Sequence, residues 1–206
     1  SLELGGKAPV VVFPDADLEL AAQAILDSRI GNNGPLCNNA ERLYLHKDIY
    51  DKMVALLTEK FKAVKVGDPF SADDIDMGPL VEQRALESVQ AKLAKAIEQG
   101  AKVLVGGNRV GNKGYFFEAT LLGNCRQDMD IVHEETFGPV LPIIPFDNIE
   151  QVIEWCNDCE YGLASSVFTN DINTASRMVR ELEFGETYIN RFHFEAIQGF
   201  HAGVKK

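Results

Sequence analysis

The chain lacks several features that would decide its class at once. It has no apolar run approaching the roughly 18 to 20 residues that a membrane span requires, and no charged-then-apolar layout of a secretion signal at its start. It lacks a basic face: 20 Lys and Arg stand against 31 Asp and Glu, a formal net charge of -11. Neutralising phosphates needs the opposite sign, so nucleic acid is an unsuitable partner, and so is an anionic membrane surface. Cysteine is sparse, with 4 in 206 residues, which argues against a disulfide scaffold and for reduced thiols in the cytoplasm. There is no Gly-x-Gly-x-x-Gly. Gly106-Gly107 to Gly114 lacks the Gly-Lys-Ser/Thr of a phosphate loop and reads as a hairpin-like turn. The chain also lacks an initiator methionine and reaches an apolar strand by residue 9, so we expect a piece of something longer.

What is present is an ordinary core composition, 46% hydrophobic and 25% charged. Ala8 to Phe13 is a continuous, valine-rich apolar run, the pattern of a buried strand. Leu18, Ala21, Ala22, Ile25 and Leu26 follow at helical spacing, stopped by Asn32-Asn33-Gly34-Pro35. The same alternation continues. Strands are expected at 43–46, 102–105, 116–122, 140–146, 165–169 and 187–190. Helices are expected at 49–64, 81–99, 149–156 and 172–182. Short links between them predict βα crossovers, hence an α/β fold with a largely parallel sheet flanked by helices, as one domain over 1–206.

Two residues stand out against this frame. Cys37 lies in Gly-Pro-Leu-Cys-Asn-Asn, 34 residues after Glu3 in Leu-Glu-Leu-Gly-Gly-Lys. A strand of five or six residues climbs about 17 to 20 Å, and a helix of about 14 residues descends about 21 Å. The strand and helix between Glu3 and Cys37 therefore form an up-and-back pair that returns both residues to one sheet edge. A thiolate adds to a carbonyl to give a covalent intermediate, and a carboxylate activates water to release an acyl group. Against this, a lone cysteine is ordinarily a small buried hydrophobe, and a lone glutamate is ordinarily solvated.

Further segments follow in order: Glu134-Glu135-Thr136-Phe137-Gly138-Pro139-Val140, Tyr161-Gly162-Leu163 and Tyr188-Ile189-Asn190. With Glu-Leu-Gly-Gly-Lys and Gly-x-x-Cys, this set resembles the catalytic domain of the NAD(P)-dependent aldehyde dehydrogenases from about residue 2 to residue 206. The resemblance implies that Cys37 is the nucleophile and Glu3 the general base, with Glu135 and Phe137 holding the nicotinamide ribose and ring. The implied reaction passes from a thiohemiacetal on Cys37, through hydride loss to NAD or NADP, to a thioester hydrolysed by water that Glu3 activates. The N-terminal Rossmann-like domain of that family and its C-terminal tail are not in the chain. We therefore expect the fragment alone to be inactive, and the full-length protein to be a homo-oligomer. The family's usual Gly-Gln-x-Cys is Gly34-Pro35-Leu36-Cys37 here, and proline removes a backbone donor beside the thiol.

Glu3 favours the hydrolysing branch over coenzyme-A acylation. Phe194 to Gly203 and Glu186 to Arg191 are similar to the lactaldehyde and glycolaldehyde dehydrogenase branch, which implies a small hydroxyaldehyde and a polar pocket containing Asn38, Glu195 and His201. The alternatives are a cofactor-independent cysteine esterase, for which no histidine stands at a recognisable base position in the sequence, and a non-catalytic assembly fragment. Metal is not expected. Cys156-Asn-Asp-Cys159 has no second ligand pair, and His133 with Glu134 and Glu135 are neighbours that do not converge. Asp73-Asp74-Ile75-Asp76 lacks a calcium-loop pattern. Cys125 reads as structural.

Overall fold

The computed structural model describes residues 5–71, 74–193 and 201–205. Its elements in chain order are β1 (Ala8–Val12), α1 (Leu18–Ile30), β2 (Ala40–His46), α2 (Tyr50–Lys62), α3 (Gln83–Glu98), β3 (Lys102–Val105), β4 (Thr120–Gly123), α4 (Asp130–His133), β5 (Val140–Phe146), α5 (Ile149–Asn157), β6 (Ala164–Phe168), α6 (Ile172–Glu181) and β7 (Glu186–Ile189). The sheet has seven strands in the order β3-β4-β5-β2-β1-β6-β7. All neighbours are parallel except β3 with β4. The expected α/β class and largely parallel sheet are therefore present, and the glycine-rich stretch joins the antiparallel edge pair.

β1 is buried at every position because helices cover both faces of the sheet. That explains its unbroken apolar run. On one face Val11, Tyr44 and Ile144 pack with Leu86, Val89 and Leu93 of α3 and with Val152 of α5. On the other, Val10, Val12 and Leu43 pack with Ala21 and Ile25 of α1 and with Met53 and Leu57 of α2. Caps fix where helices begin. Asp17 accepts from the Glu19 and Leu20 amides at 3.1 Å each, and Asp171 does the same for α6.

Three expectations are corrected. β2 begins at Ala40 rather than 43, because Glu41 and Arg42 are buried strand residues despite their charge. β4 starts at Thr120, and the chain before it makes only an isolated bridge, Phe117 to Arg109. The one-turn helix α4 has no counterpart among the expected elements. No helix among the described residues is long and apolar enough to cross a membrane.

The register fixes where the site lies. Ala8 pairs with Ala40, Leu43 with Ile143, Thr120 with Val140, Val10 with Ser166, and Ala164 with Glu186. The amino ends of these strands therefore form one edge. The Gly-Gly-Lys segment, Cys37, Glu135 to Phe137, Tyr161-Gly162-Leu163 and Glu186 each stand at or just before the amino end of a strand on that edge. Open α/β sheets usually bind ligands at the carboxyl ends.

Candidate active site

Two glycines allow the motif backbones to converge. A Cβ on Gly6 would stand 1.7 Å from the Cys37 carbonyl oxygen. One on Gly34, whose φ is +102°, would stand 2.5 Å from the Gly138 carbonyl carbon. Neither approach leaves room for a side chain. The Gly6 amide also donates to Glu135 Oε1 at 2.8 Å. The N-terminal motif, the cysteine loop and the Glu-Glu-Thr-Phe-Gly-Pro motif thus meet backbone to backbone.

A buried ion cluster locks them together. Glu41 accepts from Lys7 Nζ at 2.9 Å and from Arg29 Nη1 at 2.8 Å, and all three side chains are at most 1% exposed. Its carboxylate also accepts from the amides of Thr136 at 2.9 Å and Phe137 at 3.3 Å. Arg29 in turn donates to the carbonyls of Gly34 and Ala40 on either side of Cys37. Burial by itself would raise the Glu41 pKa, but the Lys7 ammonium, the Arg29 guanidinium and these hydrogen bonds outweigh it and hold it at about 2. Burial lowers the Lys7 pKa, opposed by Glu41. The sequence reading missed this cluster. Its one local signal is the charged pair Glu41-Arg42 inside an otherwise apolar strand.

Cys37 sits in a turn between α1 and β2 and is partly exposed. His201 comes to it from the far end of the chain: Cys37 Sγ and His201 Nε2 are 3.9 Å apart. His201 Nδ1 lies 2.9 Å from Glu186 Oε1, and the Tyr188 hydroxyl donates to Glu186 Oε2. The segment carrying His201 is docked by Val204, whose amide donates to the Gly162 carbonyl at 3.1 Å, and by Lys205 Nζ on the Asn157 carbonyl at 2.7 Å. His201, expected in the pocket beside the cysteine, thus stands next to the sulfur. The partner lies 164 residues downstream, beyond the reach of any spacing rule.

Asn38, expected in the pocket, is buried and its amide donates to the His193 carbonyl at 3.4 Å. Glu3 and Glu195 lie outside the described residues. The other thiols differ from Cys37. Cys125 and Cys156 are buried, and desolvation pushes both up to about 12. None of the four cysteines is in a disulfide.

Glu135 is half-buried, and desolvation raises its pKa. It borders a groove of about 870 Å³ that Lys92, Glu134, Asp158, Cys159 and Tyr161 also line. Phe137 adopts φ +52° and is 44% exposed. A bulky residue in the left-handed region costs about 1 to 3 kcal/mol, and the Glu41 carboxylate on the Phe137 amide helps hold it there. A carboxylate acceptor and a partly exposed aromatic ring on one groove are groups that fit a ribose diol and a flat heterocycle.

The comparisons with known proteins agree with the fold. The profile described as the aldehyde dehydrogenase family matches residues 1–206. The chain belongs to the aldehyde dehydrogenase family. It is 55% identical over 205 residues to the lactaldehyde dehydrogenase of Escherichia coli, covering 100% of this chain and 43% of that protein. It is 50% identical to a 3,6-anhydro-alpha-L-galactose dehydrogenase of a Vibrio species, covering 99% of this chain and 43% of that one. A crystal structure of the E. coli lactaldehyde dehydrogenase superposes with a TM-score of 0.97 over 99% of this chain and 43% of that chain. The structure of a 3,6-anhydro-L-galactose dehydrogenase in complex with NAP, 48% identical, gives 0.96. The chain thus spans well under half the length of the relatives it matches.

Proposed function

We propose that this chain supplies the nucleophile half of an NAD(P)-dependent aldehyde dehydrogenase that oxidises a small hydroxyaldehyde to its acid. The observation that carries this reading is the meeting of Cys37, the Gly5-Gly6 backbone and the Glu135 to Phe137 segment at one sheet edge. Cys37 is the only one of the four thiols in the motif loop, and it is partly open to a carbonyl substrate. In this reading the Cys37 sulfur bonds to the aldehyde carbon, and the resulting oxyanion collapses as the substrate loses hydride, leaving a thioester. Glu3 activates the water that releases the acid. NAD or NADP would supply the hydride acceptor, and Glu135 and Phe137 are the residues of this chain that would hold its ribose and nicotinamide ring.

Asn38, Glu195 and His201 are assigned to the hydroxyaldehyde pocket. Support comes from the identity to a lactaldehyde dehydrogenase and from the place of His201 beside Cys37. Four cysteines outside any disulfide suit a reducing compartment, the cytoplasm. A homo-oligomer is the assembly we assign to the full-length protein.

The test is NAD(P)H formation by the polypeptide at the full length of its relatives, assayed with lactaldehyde, glycolaldehyde and an unsubstituted aliphatic aldehyde. We expect kcat/KM at least tenfold higher for the hydroxyaldehydes, the order of one well-made hydrogen bond. Equal values would remove the hydroxyaldehyde assignment, and no turnover of any of the three would remove the reaction.

A further inference from the structure

The reading above leaves one step without an acceptor. Glu3 is assigned to the water that cleaves the thioester, yet Cys37 must first lose its own proton. An ordinary thiol, with a pKa near about 8.5, is a few per cent thiolate at neutral pH. The described residues bring a specific group to that sulfur. His201 Nε2 stands 3.9 Å from Cys37 Sγ, while Nδ1 is held at 2.9 Å by Glu186 Oε1. An acceptor fixed on Nδ1 requires the proton there, which leaves the Nε2 lone pair facing sulfur. Glu186 is itself oriented through its other oxygen by the Tyr188 hydroxyl, and the Arg191 guanidinium lies 5.2 Å over the Tyr188 ring. The His193 ring stands against the same tyrosine, 6.0 Å between centroids.

The arrangement has three parts, a nucleophile, a base within reach of it, and a carboxylate that fixes the base's tautomer and matches its charge. Both side chains are partly open to solvent: His201 is 22% and Glu186 15% exposed. Glu186 occupies the first position of the edge strand β7, so the carboxylate stands on sheet rather than on loop.

We propose that His201 is the proton acceptor that makes the Cys37 thiolate, and that Glu186 is the residue that positions it. The S–H bond breaks and an Nε2–H bond forms, giving a thiolate and an imidazolium whose charge the Glu186 carboxylate balances. The sulfur lone pair then bonds to the carbonyl carbon as the C=O π pair moves to oxygen. His201 thus serves the first step and Glu3 the last. This division rests on the aldehyde dehydrogenase reading for its substrate, but the thiolate itself does not require aldehyde or nicotinamide.

The test uses that independence. Native protein is alkylated with iodoacetamide from about pH 5 to pH 9. The sulfur displaces iodide, and the labelled cysteine is identified by peptide mass spectrometry. Cys37 should react with a midpoint below that of an ordinary thiol. In His201→Gln the rate at about pH 6.5 should fall at least tenfold, and the midpoint should rise toward about 8.5. Glu186→Gln should move it the same way by less, and Glu186→Asp should recover part of the loss.

Cys125 and Cys156 report folding, because they stay unlabelled while the core is intact. A variant in which they react is discarded and the other two decide. Superimposable pH profiles in the folded variants, with only the KM for aldehyde raised, would leave His201 its pocket role alone and overturn the relay. No NAD(P)H formation by the unsubstituted full-length protein, with the alkylation pattern as expected, would instead sink the aldehyde reading and leave the relay standing.

Discussion

Two charge clusters flank the cysteine loop, and their contrast separates holding from reacting. Lys7, Glu41 and Arg29 are at most 1% exposed, and Glu41, held at about 2, keeps its charge through the neutral range. Such a cluster fixes geometry. Its carboxylate grips the Thr136 and Phe137 amides while Arg29 grips the carbonyls of Gly34 and Ala40. His201 and Glu186, at 22% and 15% exposure, remain in contact with solvent, and His201 reaches the sulfur itself. A group that exchanges a proton needs that access. The site therefore has a dry frame and a partly wet working face, built on the same sheet edge.

The largest effect that would sharpen this contrast comes from the frame. Glu41→Gln leaves two buried cations without their countercharge, and breaking a buried pair costs about 3 to 5 kcal/mol. Urea unfolding should show a loss of that order, whereas a loss under about 1 kcal/mol would mean the cluster does not hold the edge. Next is acid sensitivity. His193 is buried beside Arg29 with its Nδ1 3.3 Å from Ser28 Oγ, and desolvation lowers its pKa to about 3. Unfolded histidine titrates near about 6.5. Between those values the unfolded chain binds a proton that the fold refuses, so stability should fall as pH drops from about 6.5, by at most about 1.4 kcal/mol per unit.

His193→Asn should flatten that limb above about pH 4.5. Below it, as pH falls toward about 2, the Glu41 contribution is lost in turn, because its carboxylate is depressed from an unfolded value near about 4.3. The smallest effect belongs to the working face. Glu186→Gln should change unfolding by about 1 kcal/mol or less, as partly solvated pairs do. A larger loss would make Glu186 part of the frame and erase the contrast.

The layering of the fold was legible because apolar runs and helical spacing report burial directly: β1, α1 and α5 fall within a residue or two of their expected bounds. The short helix α4 was not, since four residues carry no periodicity. The start of β2 was misread because the hydrophobic pattern counts Glu41 and Arg42 as surface, while the cluster and the Trp155 and Cys156 carbonyls satisfy them inside. Cys37 and the Glu135 to Phe137 segment were readable as ordered motifs. Lys7, Arg29 and Glu41 were not, because three separate segments meet only after the sheet forms. For His201 the sequence offered a pocket residue by resemblance, but its link to Glu186 depends on how residues 201–205 dock on the Gly162 carbonyl.

The central claim is that the thiol at the amino-end edge, and none in the core, carries the substrate. The full-length protein turning over glycolaldehyde with NAD or NADP, quenched in acid and mapped by peptide mass spectrometry, tests it directly. The account predicts an acyl mass increment on the peptide containing Cys37 and on no other cysteine. An increment on Cys125, Cys156 or Cys159, or steady turnover by Cys37→Ser, would contradict it.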